Sequence, residues 1–335
     1  MKKVCVIGHF GFAEDLLNGQ TIKTKMVTKE LDKHFGADQV VKIDTHGGAK
    51  SLPSVVFQMV KEFKECDNII IFPAHNGIKI FVPLCNFINL FFHRRLHYVV
   101  IGGWLPSFLK DKSNLKKGLT KFNGIYVETA TMKRSLYDIG LNNVIILRNF
   151  KDINPIKKED LQMNVVKPLS VCTFSRVMKE KGIEDLIAVS KLLPSNYTLD
   201  IYGEIKEDKY RNINFNESGI TYHGVVSSEQ VLKTLIEYDL LLLPSYREGY
   251  PGIIIEAMSV GIPCVSTYAG GIPEIVEDGY NGRLVIPGDV DAIKQAILSI
   301  NATNYSQYSG NALKKFEEEF ESDKTNKRIL EIIMH

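Results

Sequence analysis

Residues 239–258 read Asp239-Leu240-Leu241-Leu242-Leu243-Pro244-Ser245-Tyr246-Arg247-Glu248-Gly249-Tyr250-Pro251-Gly252-Ile253-Ile254-Ile255-Glu256-Ala257-Met258. Four leucines without polar alternation fit a strand covered on both faces, as strands in parallel sheets are. Proline, serine and glycine then break the chain, and Ile253–Met258 opens a helix. This strand–loop–helix unit recurs along the sequence. Apolar, β-branched runs stand at Lys3–Gly8, Val40–Asp44, Asn68–Pro73, His97–Ile101, Ile125–Glu128 and Val144–Leu147, with helical spacing in Thr21–Phe35 and Ser54–Glu65. After Pro155 the pattern restarts with Leu169–Phe174, Thr198–Tyr202, Ile220–Val225, Asp239–Leu243, Cys264–Thr267 and Arg283–Ile286. Strands alternating with helices build βαβ units. The sequence therefore predicts an α/β fold of two doubly wound, Rossmann-like domains facing each other across a cleft.

The chain's 335 residues exceed what one hydrophobic core usually organises. The polar, proline-bearing stretch from Lys151 to Pro168 reads as the linker between the two domains. The expected organisation is an N-terminal domain at 1–160, a second domain at 161–315 and a charged terminal helix at 316–335. A hydrophobic fraction of 44% and a charged fraction of 24% exclude a disordered or fibrous chain. A net charge of +2 gives no case for a nucleic-acid partner. Five scattered cysteines, none in a C-x2-C pair, read as reduced thiols in a core rather than a metal site.

The apolar stretch Val4–Gly8 is shorter than a signal-peptide core, so a cytoplasmic location is expected. The most apolar segment, Ile78–Phe92, falls short of the roughly 20 residues that span a bilayer. The small net charge hides an asymmetry. Residues 1–165 carry 24 Lys and Arg against 15 Asp and Glu, whereas residues 166–335 carry 17 against 24. An N-terminal half at +9 suits an anionic surface, such as a membrane or a lipid phosphate. Ile78–Phe92 followed by His93-Arg94-Arg95, with more cations in Lys110–Lys121, combines an apolar helix with positive charge. Peripheral docking on the inner face of the cell membrane is the expectation.

In open parallel sheets, ligands bind at the loops leaving the carboxyl ends of strands. The loop Ser175–Gly182 offers Arg176 and Lys181 just before a helix N-terminus, a combination suited to a diphosphate. In the quoted stretch, Glu248 lies in the loop and Glu256 about one turn into the helix, with Gly249 and Gly252 folding the chain between them. Carboxylates accept hydrogen bonds from vicinal hydroxyls, so sugars and riboses are natural ligands. Gly270-Gly271, after another strand, can bring backbone N–H groups to a phosphate or a sugar. Asp289-Val290-Asp291 matches the D-x-D of metal-dependent transferases, but it follows Pro287-Gly288 and opens a helical run, which reads as capping. No metal or other cofactor is expected.

Three features in order resemble retaining GT-B glycosyltransferases of family 4, which build glycans from sugar nucleotides. They are Arg176-x4-Lys181-Gly182; Glu248-Gly249-x6-Glu256-Ala257-Met258 running on to Gly261-Ile262-Pro263; and Gly270-Gly271-x2-Glu274 with Asn281-Gly282. The resemblance implies that Arg176 and Lys181 hold the donor diphosphate and stabilise it as the leaving group. It further implies that Glu256 binds the ribose, that Glu248 contacts the donor sugar, and that Gly249, Gly252, Gly270 and Gly271 shape the donor site. Gly224–Val226, with Val226 at its end, resembles the segment that reads the nucleobase, and Gly19-Gln20 resembles the glycine loop over the phosphates. The terminal helix is expected to cross back to the first domain. Together these imply hexose transfer from a nucleotide sugar, UDP first and GDP next, to a glycan or a polyprenyl-diphosphate-linked acceptor in surface polysaccharide assembly. The chemistry also stands by itself: a departing nucleoside diphosphate gathers negative charge, which preorganised Arg176 and Lys181 would stabilise.

The first domain departs from the family pattern. Many relatives carry a histidine after the fourth strand, where this chain has Ile101-Gly102-Gly103-Trp104. His75, at the end of the third strand, is the substitute on the acceptor side, and His9 and His46 also end strands. Trp104, the single tryptophan, either stacks on an acceptor sugar or anchors its loop. Two alternatives stand beside the transferase. One is a sugar-nucleotide epimerase of the same architecture, which is not expected to combine Arg/Lys with E-x7-E. The other is a non-catalytic two-lobed sugar-binding protein, normally exported. Gly8–Ala13 lacks the G-x-G-x-x-G of a nicotinamide oxidoreductase.

Overall fold

The computed structural model describes residues 2–12, 19–148, 153 and 169–320. Two compact units divide between Arg148 and Asn149. The first contains strands β1 (Lys2–Gly8), β2 (Val40–Asp44), β3 (Cys66–Ile71), β4 (Arg95–Val99), β5 (Gly124–Val127) and β6 (Val144–Ile146). Between them run helices α1 (Gly19–Phe35), α2 (Leu52–Glu65), α3 (Gly77–Phe92), α4 (Leu105–Leu109), α5 (Ser113–Leu119) and α6 (Ala130–Tyr137). The sheet is parallel in the order β2-β1-β3-β4-β5-β6, so the winding direction reverses between β1 and β3. Cys5, Ile7, Ile69 and Ile71 of the sheet share a core with Met59 of α2 and Phe81 of α3.

Helix α3 settles how Ile78–Phe92 is used. Ile78, Phe81, Val82, Cys85 and Ile88 are buried, at the 3–4 residue spacing of one helix face. Ile80, Phe87, Leu90 and Phe91 are exposed on the other. The helix thus packs on its sheet and still presents an apolar outer stripe. It ends because His93 adopts a left-handed conformation, φ 54°, with its N–H bonded to the Asn89 carbonyl. Arg94 then locks the end in place, its Nε donating to the Phe63 carbonyl at 2.8 Å.

The second unit contains β7 (Leu169–Phe174), β8 (Tyr197–Tyr202), β9 (Ile220–Gly224), β10 (Leu240–Leu243), β11 (Cys264–Thr267) and β12 (Gly282–Val285). Its helices are α7 (Ile183–Ser190), α8 (Val231–Leu235), α9 (Gly252–Ser259), α10 (Val290–Ser299) and α11 (Tyr305–Glu319). The parallel order β12-β11-β10-β7-β8-β9 places the reversal between β7 and β10. The leucine run behaves as a doubly covered strand. Leu241 and Leu243 face a core shared with α9 and α11, while Leu240 and Leu242 face one shared with α7 and α10.

All twelve sequence-predicted strands occur, with ends displaced by at most two residues. Asp289 caps α10, its Oδ1 accepting the Ala292 N–H at 2.9 Å, in agreement with the sequence reading. Two boundaries differ: the units divide between Arg148 and Asn149 rather than at 160/161, and residue 316 falls inside α11, which begins at Tyr305. Ala312, Phe316 and Phe320, at helical spacing, are buried in the core beside α9, so residues 316–320 pack with the second unit. The crossing of the last residues, 321–335, and almost all of the 151–168 linker lie outside the described residues. Among the described residues, no helix is long and apolar enough to cross a membrane.

Candidate functional site

The reversal between β7 and β10 brings two predicted residues together. Lys181 lies at the end of the β7–α7 loop and Glu248 in the β10–α9 loop. The Lys181 ammonium donates to Glu248 Oε1 at 2.6 Å, with the two side chains only 13% and 10% exposed. The Ser245 hydroxyl donates to the same oxygen at 2.8 Å. Ser245 was not among the predicted residues, although it sits three positions before Glu248 and is wholly buried. An ammonium has three N–H donors, so one contact to Glu248 leaves two for other acceptors.

The two loops are pressed together by glycine. Gly182 has φ +74°, and a Cβ there would stand 2.2 Å from the Pro244 carbonyl oxygen. The Tyr246 N–H bonds the Glu180 carbonyl at 2.9 Å, adding a backbone tie. The β11 loop joins from the other side: the Gly271 N–H donates to the Gly249 carbonyl at 2.8 Å. Gly270 lies against the Glu248 carbonyl oxygen so closely that a Cβ would be 2.0 Å from it. Glu248 is therefore fixed by its neighbours' backbones as well as by Lys181.

The other predicted residues of this unit are more dispersed. Arg176 is exposed just after β7, and its guanidinium has no ion-pair partner among the described residues. Gly252 is the first residue of α9, and Glu256 is half-buried on that helix, whose Ile254, Ile255, Ala257 and Met258 enter the core. Val226, half-buried after β9, packs against the same core. Asn281 is structural: its Nδ2 donates to the Ile275 carbonyl and its Oδ1 accepts the Glu277 N–H, closing the turn before β12.

Asp185, in the first turn of α7, was also overlooked. It is buried, with Tyr246 Oη donating to Oδ1 at 3.1 Å and Oδ2 without a partner. Burial raises its pKa, which the Tyr246 hydrogen bond opposes and the Glu184 charge reinforces. An acidic residue counteracts the positive helix end that the sequence alone would offer to a phosphate. Lys181 is the cation in direct contact with Glu248.

In the first unit, Gly19 is the first residue of α1, and the Gln20 side chain donates to the Phe72 carbonyl at 2.8 Å. His9 contacts Thr21 Oγ1 at 2.9 Å and His46 at 3.0 Å, a chain that links β1, β2 and α1. Burial alone would raise the pKa of Asp44; the N–H groups of His46, Phe10 and Phe12, together with His9, overcome it and hold the carboxyl low. Further along the sheet, His75 stacks on Trp104 with ring centroids 4.0 Å apart. The indole N–H bonds the Ile101 carbonyl at 2.8 Å, and the Trp104 ring is buried. Trp104 anchors its loop, and His75 is the exposed member of the stack.

Residues 168–302 match the family described as "Glycosyl transferases group 1". Over 333 residues the chain is 24% identical to an uncharacterized 41.2 kDa protein in the cps region of Klebsiella pneumoniae, covering 93% of this chain and 89% of that one. It is 30% identical over 148 residues to the amylovoran biosynthesis glycosyltransferase AmsK of Erwinia amylovora, covering 40% of this chain and 36% of that enzyme. The crystal structure of Anabaena Alr3699/HepE in complex with UDP-glucose superposes with a TM-score of 0.77 at 18% identity, covering 100% of both chains. The likeness establishes the fold as GT-B.

Proposed function

Starting from a group 1 glycosyl transferase domain on a GT-B fold, we propose that this protein moves a hexose from a nucleotide sugar to a glycan or lipid-linked acceptor in surface polysaccharide assembly. The donor is a UDP-sugar in this reading, held by the second unit. The observation that carries it is the 2.6 Å contact of Lys181 with Glu248, a cation beside a carboxylate, the group that accepts hydrogen bonds from vicinal hydroxyls, at one switch point. The UDP-glucose complex of Alr3699/HepE and the description of AmsK as an amylovoran biosynthesis glycosyltransferase support the same choice.

In the proposed reaction the bond from the sugar C1 to the β-phosphate oxygen breaks and a bond from C1 to the acceptor oxygen forms. Negative charge gathers on the departing diphosphate, where Lys181 and Arg176 stabilise it. The acceptor oxygen attacks C1 on the face the diphosphate leaves and passes its proton to a phosphate oxygen there, so configuration is retained. Glu248 orients the sugar and Glu256 the ribose hydroxyls, and the step uses no metal. To test the reading, the protein is incubated with UDP- and GDP-hexoses, with and without a synthetic polyprenyl-diphosphate-linked sugar. Nucleoside diphosphate release that rises with acceptor is expected. Free epimerised sugar, or saturable binding without turnover, would overturn it.

The first unit in this reading docks on an anionic bilayer through α2 and α3. Phe57 and Val60 of α2 are exposed, as are Phe87, Leu90 and Phe91 of α3. Residues 52–121 carry ten Lys and Arg against four Asp and Glu. Apolar side chains among cations are what an interfacial surface requires. The protein is expected to sediment with phosphatidylglycerol vesicles, less so as salt rises, and Phe87→Ser with Phe91→Ser should abolish sedimentation. Absence of binding at every salt concentration would count against docking.

A further inference from the structure

Helix α3, the segment between α4 and α5, and α5 line an open pocket of about 510 Å³ to which no ligand is assigned above. Lys79, Pro83, Lys112, Ser113 and Asn114 contribute to its wall, with Asp111 as the one acidic residue. Two ammonium groups converge on the Phe108 ring, Lys112 at 4.2 Å from the centroid and Lys79 at 5.6 Å. Lys112 also donates to the Phe108 carbonyl at 2.8 Å. Neither lysine is in an ion pair among the described residues. Two cations lining one pocket without a carboxylate partner among the described residues are attractive to a group of multiple negative charge.

The surroundings narrow the ligand. Lys79 and Pro83 are cavity-wall residues on the exposed side of α3. Phe87 and Phe91 follow at successive spacings of four, and residues four apart lie along one helix face. The lysine-bearing pocket, whose wall also includes Val82, Pro83 and Leu115, is therefore continuous with the apolar stripe. We propose that this cavity seats the diphosphate of a prenyl-type amphiphile, with the hydrocarbon lying along the outer face of α3. The inference rests on the transferase reading for the ligand's role as acceptor, but not for its binding.

Trp104 supplies the probe. It is the chain's single tryptophan, and its ring centroid is 5.2 Å from that of Phe108. Titration of the full chain with farnesyl diphosphate should change Trp104 fluorescence saturably. Inorganic pyrophosphate should bind at least about tenfold more weakly, because it buries no hydrocarbon. Farnesol, lacking the charge, should be weaker still. Lys79→Ala with Lys112→Ala should weaken farnesyl diphosphate at least about tenfold. Lys79→Glu, at an exposed position and farther from the Phe108 ring than Lys112, repeats the test by charge reversal, and Asp111→Asn should tighten binding. Equal affinity for pyrophosphate and farnesyl diphosphate would mean a free-phosphate site and overturn the proposal, as would unchanged binding in the Lys79 variants. Thermal shift by UDP, followed in parallel, keeps a failure of the donor reading separate from a failure here.

Discussion

Lys181→Ala is expected to lower kcat/KM by about a hundredfold to a thousandfold, the usual cost of removing one preorganised donor from developing negative charge. Lys179→Ala, two residues earlier on an exposed turn, should change it by no more than about twofold. The Lys181 side chain is also structural, because it neutralises a carboxylate that is only 10% exposed. Its loss leaves Glu248 with Ser245 as the partner at Oε1, at a cost of about 1–3 kcal/mol in stability. The two roles separate in the double variant Lys181→Ala/Glu248→Gln. Removing both charges should restore most of the melting temperature while turnover stays low. If Lys181→Ala retains turnover within about threefold of the parent, the charge-stabilisation argument loses its basis.

Much of this is legible in the sequence. The leucine run of β10 announced a strand covered on both faces because no polar residue interrupts it, and Leu240–Leu243 are all buried. Lys181 and Glu248 could be nominated because loops at the carboxyl ends of parallel strands are constrained to one edge of the sheet. Their direct contact could not be foreseen, since it depends on which strands are neighbours, and β7 and β10 are about 65 residues apart in the chain. Asp185 was missed for a related reason. On the sequence it looks like an ordinary acidic residue in a first helical turn, and its partner, the Tyr246 hydroxyl, arrives from another loop. In the first unit, Trp104 could be read as a sugar platform or an anchor, because burial of its ring depends on His75 from a different strand end. The Lys79–Phe108–Lys112 group joins two helices and gave no local pattern at all.

Gly270→Ala should be among the most damaging substitutions in the second unit, although it adds one methyl group. At φ +57° an L side chain costs roughly 1–2 kcal/mol. The methyl would also stand 2.0 Å from the Glu248 carbonyl oxygen, so backbone rather than a flexible side chain must move. Overpacking of that kind adds about 1–3 kcal/mol, and the neighbouring Gly271–Gly249 hydrogen bond resists the shift. Displacing the Glu248 peptide by even about 1 Å would cost turnover on the order of a hundredfold. Gly279→Ala is the matched control: its φ is +79°, yet a Cβ there meets nothing within 4 Å. It carries the conformational cost without the collision. Thermal melts and turnover of the two variants should therefore diverge, with Gly279→Ala losing roughly 1 kcal/mol and little activity. Equal losses in both would mean that Gly270 is needed only for its backbone angles, and that the β11 loop does not position Glu248.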